Sequence, residues 1–413
     1  MLNKIRTSSI YIFFKWILLA AVSGALVGFA GAGFHHCLDI SSEMFSEFSW
    51  MLFCMPIAGL LIVFLYHICG MKDDKGTNMV FTAIRNGEKL KFRTAPLIFI
   101  ATCLTILTGG SAGREGAALQ LGGSINSFFS KIFHMNENDY KVLIMCGMAA
   151  GFSSLFGTSV AAAIFAIEMI SVGSFCFAAI VPCAISSAMG IWVASLLGVK
   201  PTSFDLNGIP QLSANSIGVV IVLAALCGLL SILFCLTMHS VKHFFVKFIK
   251  NPYVRVIIGS AVIIALTLVL ETNDYNGAGM NIVSKAISGE SNTFAFLLKL
   301  LFTAITLAVG FKGGEIVPAF FVGSTFGCVF APLLGLDPSF GAGIGLICVF
   351  CGVTNCPITA LLLSVELFGS GGILFFLIAT AISYMASGYY SLYGEQVFTS
   401  SKFELGNFEL HSK

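Results

Sequence analysis

The chain has 413 residues, of which 57% are hydrophobic and only 10% charged, with a mean hydropathy of +0.94. Soluble domains carry about 25% charged residues, so this composition excludes a water-soluble fold and implies a polytopic membrane protein. A net charge of +2 with no basic patch excludes a nucleic-acid partner.

The opening, MLNKIRTSSIYIFFKWILLAAV, has the basic flank of a signal peptide. Its apolar stretch runs on to about Phe34 without an evident cleavage site, which predicts a first retained membrane helix. Apolar segments recur at roughly 12–38, 50–70, 95–112, 143–170, 173–199, 215–240, 254–270, 293–310, 316–335, 342–368 and 371–391. Several are shorter than the roughly 20 residues that cross a bilayer, and many contain Gly or Pro. That pattern predicts an all-α fold with discontinuous helices, which serve binding sites near the membrane midplane.

The polar stretches between them are basic. Residues 72–93 hold Lys72, Lys75, Arg85, Lys89, Lys91 and Arg93, and residues 242–255 hold Lys242, Lys247, Lys250 and Arg255. With Lys4 and Arg6 these face the cytoplasm by the positive-inside rule, and the chain is expected in the plasma membrane. After about Val397 only 16 residues remain, too few for a cytoplasmic regulatory domain, so residues 1–413 read as one membrane domain. The 13 cysteines sit mostly in apolar runs, and Cys351 with Cys356 has the wrong spacing for a zinc knuckle. They read as packing residues; neither a metal nor a cofactor is expected.

One stretch breaks the apolar pattern. GSAGREGAALQLGG, residues 110–123, places Arg114 and Glu115 between Gly113 and Gly116, with no other charge from residue 95 to Lys131. Glycines let backbone N–H groups approach a ligand without a Cβ in the way. A helix starting there presents N–H groups without internal acceptors and the positive end of its dipole, an anion site in a dry midplane. A carboxylate in that place acts as an anion itself and, once protonated, frees the donors for a diffusible anion. That is the chemistry of proton–anion antiport. The bland alternative is an ion pair between Arg114 and Glu115 that holds two helices together.

A second such stretch decides between them. Gly313-Gly314-Glu315 follows about 200 positions later, with Pro318 suited to a helix's first turn. Likewise GTSVAAAIFAIE at 157–168 matches NCPITALLLSVE at 355–366, ending on Glu168 and Glu366. Two repeats, about 12–200 and 205–397, are expected to meet at one central site.

These residues resemble the CLC family of chloride channels and anion/proton antiporters. The family's GREGP motif is similar to Gly113-Arg114-Glu115-Gly116-Ala117, with Ala for Pro. Its GxFxP motif resembles Gly314-Glu315-Ile316-Val317-Pro318, with Ile for Phe. The runs at 146–168 and 345–369 are similar to the segments that follow these motifs, so the resemblance covers nearly the whole chain. It implies an inverted repeat, a homodimer with one pathway per subunit, and Glu115 as external gate. It further implies anion coordination by backbone around Gly113, Arg114, Gly116 and Ala117 and around Ile316 and Val317. The family's pore tyrosine corresponds to Tyr393 in YYSLYGEQ, with Tyr389 and Tyr390 as competitors.

The sequence departs from the chloride-handling members in two places. Their GSGIP motif, with its serine hydroxyl, is replaced by Gly76-Thr77-Asn78-Met79-Val80. Asn78 and Met79 alter the anion site, since a thioether donates no hydrogen bond, and they resemble the bacterial fluoride-exporting branch. The internal glutamate of the exchangers is Met169 here, while Glu315 adds a carboxylate in the second anion loop and would supply another proton station. Glu315 could instead cap its helix or pair with Lys312. Glu168 and Glu366 read as structural caps or partners, with proton relay as the lesser alternative.

The expected protein is therefore an anion/proton antiporter in membrane lipid, exporting fluoride, with chloride antiport or a chloride channel as the rival. An intramembrane enzyme fares badly: HExxH and an apolar Asp pair are both missing. His35, His36 and His134 lack partners at metal-ligand spacing and read as interfacial.

Overall fold

Helix starts and stops in this chain are set by a few polar and conformationally special residues within long apolar runs. The computed structural model describes residues 2–72, 74–403 and 407–412, with side chains described except at 2–9 and 407–409. Sixteen α-helices are found among the described residues. The first eight are α1 Leu2–Glu47, α2 Met55–Ile68, α3 Asn78–Asn86, α4 Thr94–Leu107, α5 Glu115–Ile132, α6 Glu137–Phe156, α7 Ser159–Glu168 and α8 Ile180–Leu196. The second eight are α9 Ala214–Phe248, α10 Pro252–Leu270, α11 Met280–Ile287, α12 Ala295–Val309, α13 Ile316–Phe330, α14 Pro338–Thr354, α15 Pro357–Phe368 and α16 Ile373–Ala386.

Among the described residues, five helices are long and apolar enough to cross a membrane: Ile10–Glu47, Ser49–Ile68, Phe177–Leu196, Ala214–Phe248 and Pro252–Leu270. Most of the others are shorter apolar helices of 10–17 residues. At about 1.5 Å per residue, the 15 residues of α13 reach only about 22 Å. The chain is an all-α, polytopic membrane protein.

Two apolar runs expected as single segments are each two helices. Residues 143–170 break at Gly157, which ends α6 in the left-handed conformation at φ 74°. Residues 342–368 break at Asn355, left-handed at φ 58°, and restart at Pro357. Hydropathy does not register such breaks, because the backbone turns without any loss of apolar side chains. Conversely α3 lies inside the polar stretch 72–93 and α11 inside no apolar segment; both are amphipathic, burying Val80, Phe81 and Ile84 or Ile282 and Val283 on one face.

The two halves pack by matched means. A Cβ on Gly122 would collide with the Gly147 carbonyl, and one on Gly323 with the Gly345 carbonyl, so α5 meets α6 as α13 meets α14, backbone against backbone. Between the halves, Phe156 lies against Phe320 at 5.8 Å and Phe165 against Phe350 at 5.6 Å, forming the dry centre. The cysteines serve packing too: Cys348 and Cys351 of α14 give S–H groups to the Ala379 and Thr380 carbonyls of α16.

The fold also holds a small sheet that the sequence did not announce. β1 (Ser171–Val172) pairs in parallel with β2 (Val397–Ser400), which pairs antiparallel with β3 (Asn407–His411). It fastens the C-terminal strap carrying Tyr393 to the chain just after α7. Gln396 reinforces the fastening by donating to the Met169 and Thr354 carbonyls.

Candidate functional site

The two Gly-rich stretches meet. Gly113 and Gly314 form an antiparallel bridge, each N–H bonding the other's carbonyl at 2.7 Å. The approach needs glycine on both sides: a Cβ on Gly314 would sit 2.8 Å from the Gly116 nitrogen, and one on Gly113 2.6 Å from Glu115 Oε2. The bridge brings the N-termini of α5 and α13 together in the dry centre, where both are buried.

Glu115, wholly buried, sits on the donors of the other half. Its Oε2 accepts from the backbone N–H of Val317 at 3.2 Å and of Arg114 at 3.1 Å. Its Oε1 is buried with no partner. A carboxylate on the first N–H groups of α13 occupies the place an anion would take. Ile316 and Ala117 are equally buried beside it.

The Arg114–Glu115 side-chain ion pair does not form. The Arg114 guanidinium turns to the far side, where its Nη1 lies 2.9 Å from His35 Nδ1 and its Nη2 reaches the Leu155 carbonyl. Arg114 thus offers the site its backbone amide, and its charge belongs to the mouth beyond. His35 is correspondingly partnered rather than merely interfacial; the signal was its i,i+4 spacing to Asp39 on one helix face.

On the other side of the bridge lies a cavity of about 130 Å³ lined by Glu315, Tyr393, Thr77, Asn78, Gln120, Lys242 and Lys312 among others. Glu315 precedes α13 but makes no capping hydrogen bond through its side chain. Nor does it pair with Lys312, whose Nζ lies 2.6 Å from Asp74 Oδ2 and over the Tyr66 ring. Tyr393 is buried at the cavity wall, its ring 4.9 Å from that of Phe81. Its competitors lie elsewhere, Tyr389 against Phe398 and Phe403, and Tyr390 beside the Asn355 amide.

The two residues expected to replace the serine hydroxyl point away from a shared role. Asn78 lines the cavity but uses its Oδ1 to accept from the Glu395 N–H, tying α3 to the strap. Met79 faces a different cavity, with Met71, Leu90 and Lys91. On a helix, successive side chains diverge by about 100°, which here turns Met79 away from the cavity that Asn78 lines. The hydroxyl present is Thr77. It accepts from Gln120 Nε2 at 3.3 Å and lies 3.4 Å from the Gly116 carbonyl. Its signal was available, since Thr follows Gly76 where Ser follows Gly in GSGIP.

Opposite charges frame the two mouths. The mouth beside Glu315 gathers Lys75, Lys242 and Lys312, and Arg85 joins Lys75 on Glu395. There the hydrogen bond from Lys75, against a smaller opposing effect of burial, holds the Glu395 carboxyl below its usual range, with Arg85 adding to it. The mouth beside Arg114 is a cavity of about 570 Å³ bearing Asp39, Glu43, Glu47 and Asp274.

Glu168 and Glu366 are structural caps, and they are reciprocal. Glu168 closes α7 yet accepts from Ile358 N–H, Thr359 N–H and the Thr359 hydroxyl at the start of α15. Glu366, near the end of α15, accepts from Val160 and Ala161 N–H at the start of α7. Each half satisfies the other's open helix end. Among the described residues no group of three or more His, Cys, Asp or Glu could hold a metal.

The model of the voltage-gated chloride channel family matches residues 58–388. The chain belongs to the CLC family. This CLC protein is 31% identical over 395 residues to the chloride/fluoride channel protein of Pseudomonas syringae pv. tomato, covering 94% of this chain and 87% of the relative. It superposes on the crystal structure of a CLC-type fluoride/proton antiporter with a TM-score of 0.91 at 31% identity, covering 94% of this chain and 99% of that one. A slow cyanobacterial Cl-/H+ antiporter shares the fold at a TM-score of 0.78 and 19% identity, over 90% of this chain and 94% of that one.

Proposed function

We propose that this CLC protein is a fluoride/proton antiporter that exports fluoride across the plasma membrane in exchange for protons. The observation that carries the reading is the Glu115 carboxylate resting on the Val317 N–H at the head of α13. Ionised, it holds the donors and excludes a free anion. Protonated, it is a poor acceptor, and the donors of Val317, Ile316 and the Gly113–Ala117 turn become available to fluoride. One side chain then carries the proton and gates the anion.

The basic mouth faces the cytoplasm and draws fluoride inward to the cavity of Glu315 and Tyr393 by its lysines. Glu315 takes protons released at the inner end, in place of the acid that Met169 lacks. The tyrosine and Thr77 hydroxyls donate to a dehydrated anion, with Asn78 positioning the strap. A fluoride ion, small and strongly hydrated, demands such donors at close range. The protein works as a transporter with no enzymatic step, in lipid, as a homodimer of single-domain subunits with one pathway each. Two relatives of similar identity point the same way: one is named for chloride and fluoride, the other is a fluoride/proton antiporter.

Chloride is the second reading, and Thr77 is what favours it, because its hydroxyl stands where the chloride branch carries serine. Efflux from proteoliposomes with fluoride or chloride as the sole permeant anion separates the two. Fluoride efflux with proton uptake supports the first reading; chloride efflux with little fluoride movement replaces it with the second.

A further inference from the structure

His35 Nδ1 has two neighbours that demand opposite things of it. It lies 2.9 Å from Arg114 Nη1 and 3.2 Å from Asp39 Oδ2. A guanidinium only donates and a carboxylate only accepts, while a ring nitrogen either accepts when bare or donates when protonated. At any moment only one of the two contacts is a hydrogen bond. A bare Nδ1 holds Arg114, and a protonated Nδ1 holds Asp39.

The contact lies at the top of the gate. Arg114 immediately precedes α5, and its own N–H holds Glu115 Oε2. Two buried polar atoms in these adjacent residues, Arg114 Nε and Glu115 Oε1, have no partner. Arg114 is otherwise held by the Leu155 carbonyl and by the Phe156 ring of α6, with its centre 5.8 Å away, neither of which titrates. The Arg114–Asp39 distance of 3.7 Å is a loose contact.

We propose that His35 is a proton-operated positioning residue of the outer mouth, latching Arg114 to α1 when neutral and releasing it when a proton arrives from outside. This rests on the reading of Glu115 as the gate. The imidazolium donates to Asp39 and repels the guanidinium, whose released Nε–H has the unpaired Glu115 oxygen as an acceptor on the next residue. Glu115 is thereby drawn off the Val317 donor toward the outer mouth, where its own proton is loaded. The groups facing His35 set the sign. On α1 they are His36, stacked at 5.8 Å and bonded to the Leu197 carbonyl, then Asp39 and Glu43. The loop before α11 adds Asp274, and Arg114 is the one cation against His35 among the described residues.

The test is fluoride efflux from proteoliposomes at fixed inner pH, with outer pH stepped from about 7.5 to about 5.5. Wild type should accelerate with an inflection within that step. Glutamine accepts from Arg114 and donates to Asp39 at once, so His35→Gln should lose the inflection. Its acid-to-neutral rate ratio should fall at least about threefold, leaving only the slope that Glu115 itself contributes. Asp39→Asn replaces the carboxylate that pairs with the charged ring by a neutral amide and should move the inflection to lower pH. Profiles of both variants that match wild type would overturn the proposal. Asp39 is half-exposed, so its variant decides alone should His35→Gln fail to fold. Wild type that shows no fluoride-driven proton movement at all strikes the gate reading instead, a separate result.

Discussion

The two mouths of the pathway are built on the same backbone device, a Gly-rich turn opening a helix, yet they carry opposite charge. At the mouth of Glu315, three lysines line the cavity and the neighbouring acids are already claimed, Asp74 by Lys312 and Glu395 by Lys75 and Arg85. At the mouth of Arg114, four acids face one guanidinium, and that guanidinium's shortest contact is a histidine. A basic entrance concentrates anions; an acidic exit expels them and concentrates protons. The difference teaches that ion access is tuned in the vestibules, while the exchange chemistry is written in the bridge they share.

The sharpest way to break this comparison is at the bridge. Glu115→Gln or Glu115→Ala removes the group that alternates between anion surrogate and neutral acid, and fluoride-driven proton uptake should fall below detection. Uptake that survives Glu115→Ala removes Glu115 from the gate. Next in size is Glu315→Gln, which keeps shape and hydrogen-bonding reach but shuttles no proton. Proton transport should drop about 100-fold or more, the scale of a lost general acid or base. Coupling at the wild-type rate would return Glu315 to a structural role.

Smaller effects sharpen the basic side. Thr77→Val removes one hydroxyl donor, worth about 1–1.5 kcal/mol, and should slow fluoride efflux roughly tenfold. Met79→Ser, at a side chain that faces another cavity, should leave the fluoride-to-chloride flux ratio within about twofold of wild type. A large change there would put Met79 back into the selectivity site. Smallest of all is Glu395→Gln. Its folded carboxyl titrates lower than in the unfolded chain, so its pairing stabilises the strap fully above about pH 4.3 and fades as pH falls through the lower folded value. At neutral pH the loss should be about 0.5 kcal/mol, read as a slight drop in thermal midpoint in detergent.

What the sequence made legible follows from what is costly in a membrane. Glu115 and Glu315 stood out because charge beside glycine in an apolar run has few structural excuses, and both helix starts lie at those positions. The paired endings Glu168 and Glu366 were visible as a repeat, although that each caps the other half's helix required the fold. The breaks at Gly157 and Asn355 were hidden because a left-handed residue leaves hydropathy unchanged. Side-chain direction was hidden as well. Asn78 and Met79 are neighbours in sequence but look into different cavities, and Thr77, one residue earlier, has the hydroxyl. Lys312 could not be assigned to Asp74, 238 positions away, without the packing that joins them.

The central claim is that a single carboxylate exchanges places with fluoride and carries the proton. The most direct measurement is proton uptake into wild-type proteoliposomes driven by an outward fluoride gradient, with fluoride the only permeant anion. The account predicts that protons move in against their own gradient as fluoride leaves, and that Glu115→Gln stops this uphill movement. Fluoride leaving wild-type vesicles with no accompanying proton flux would contradict it.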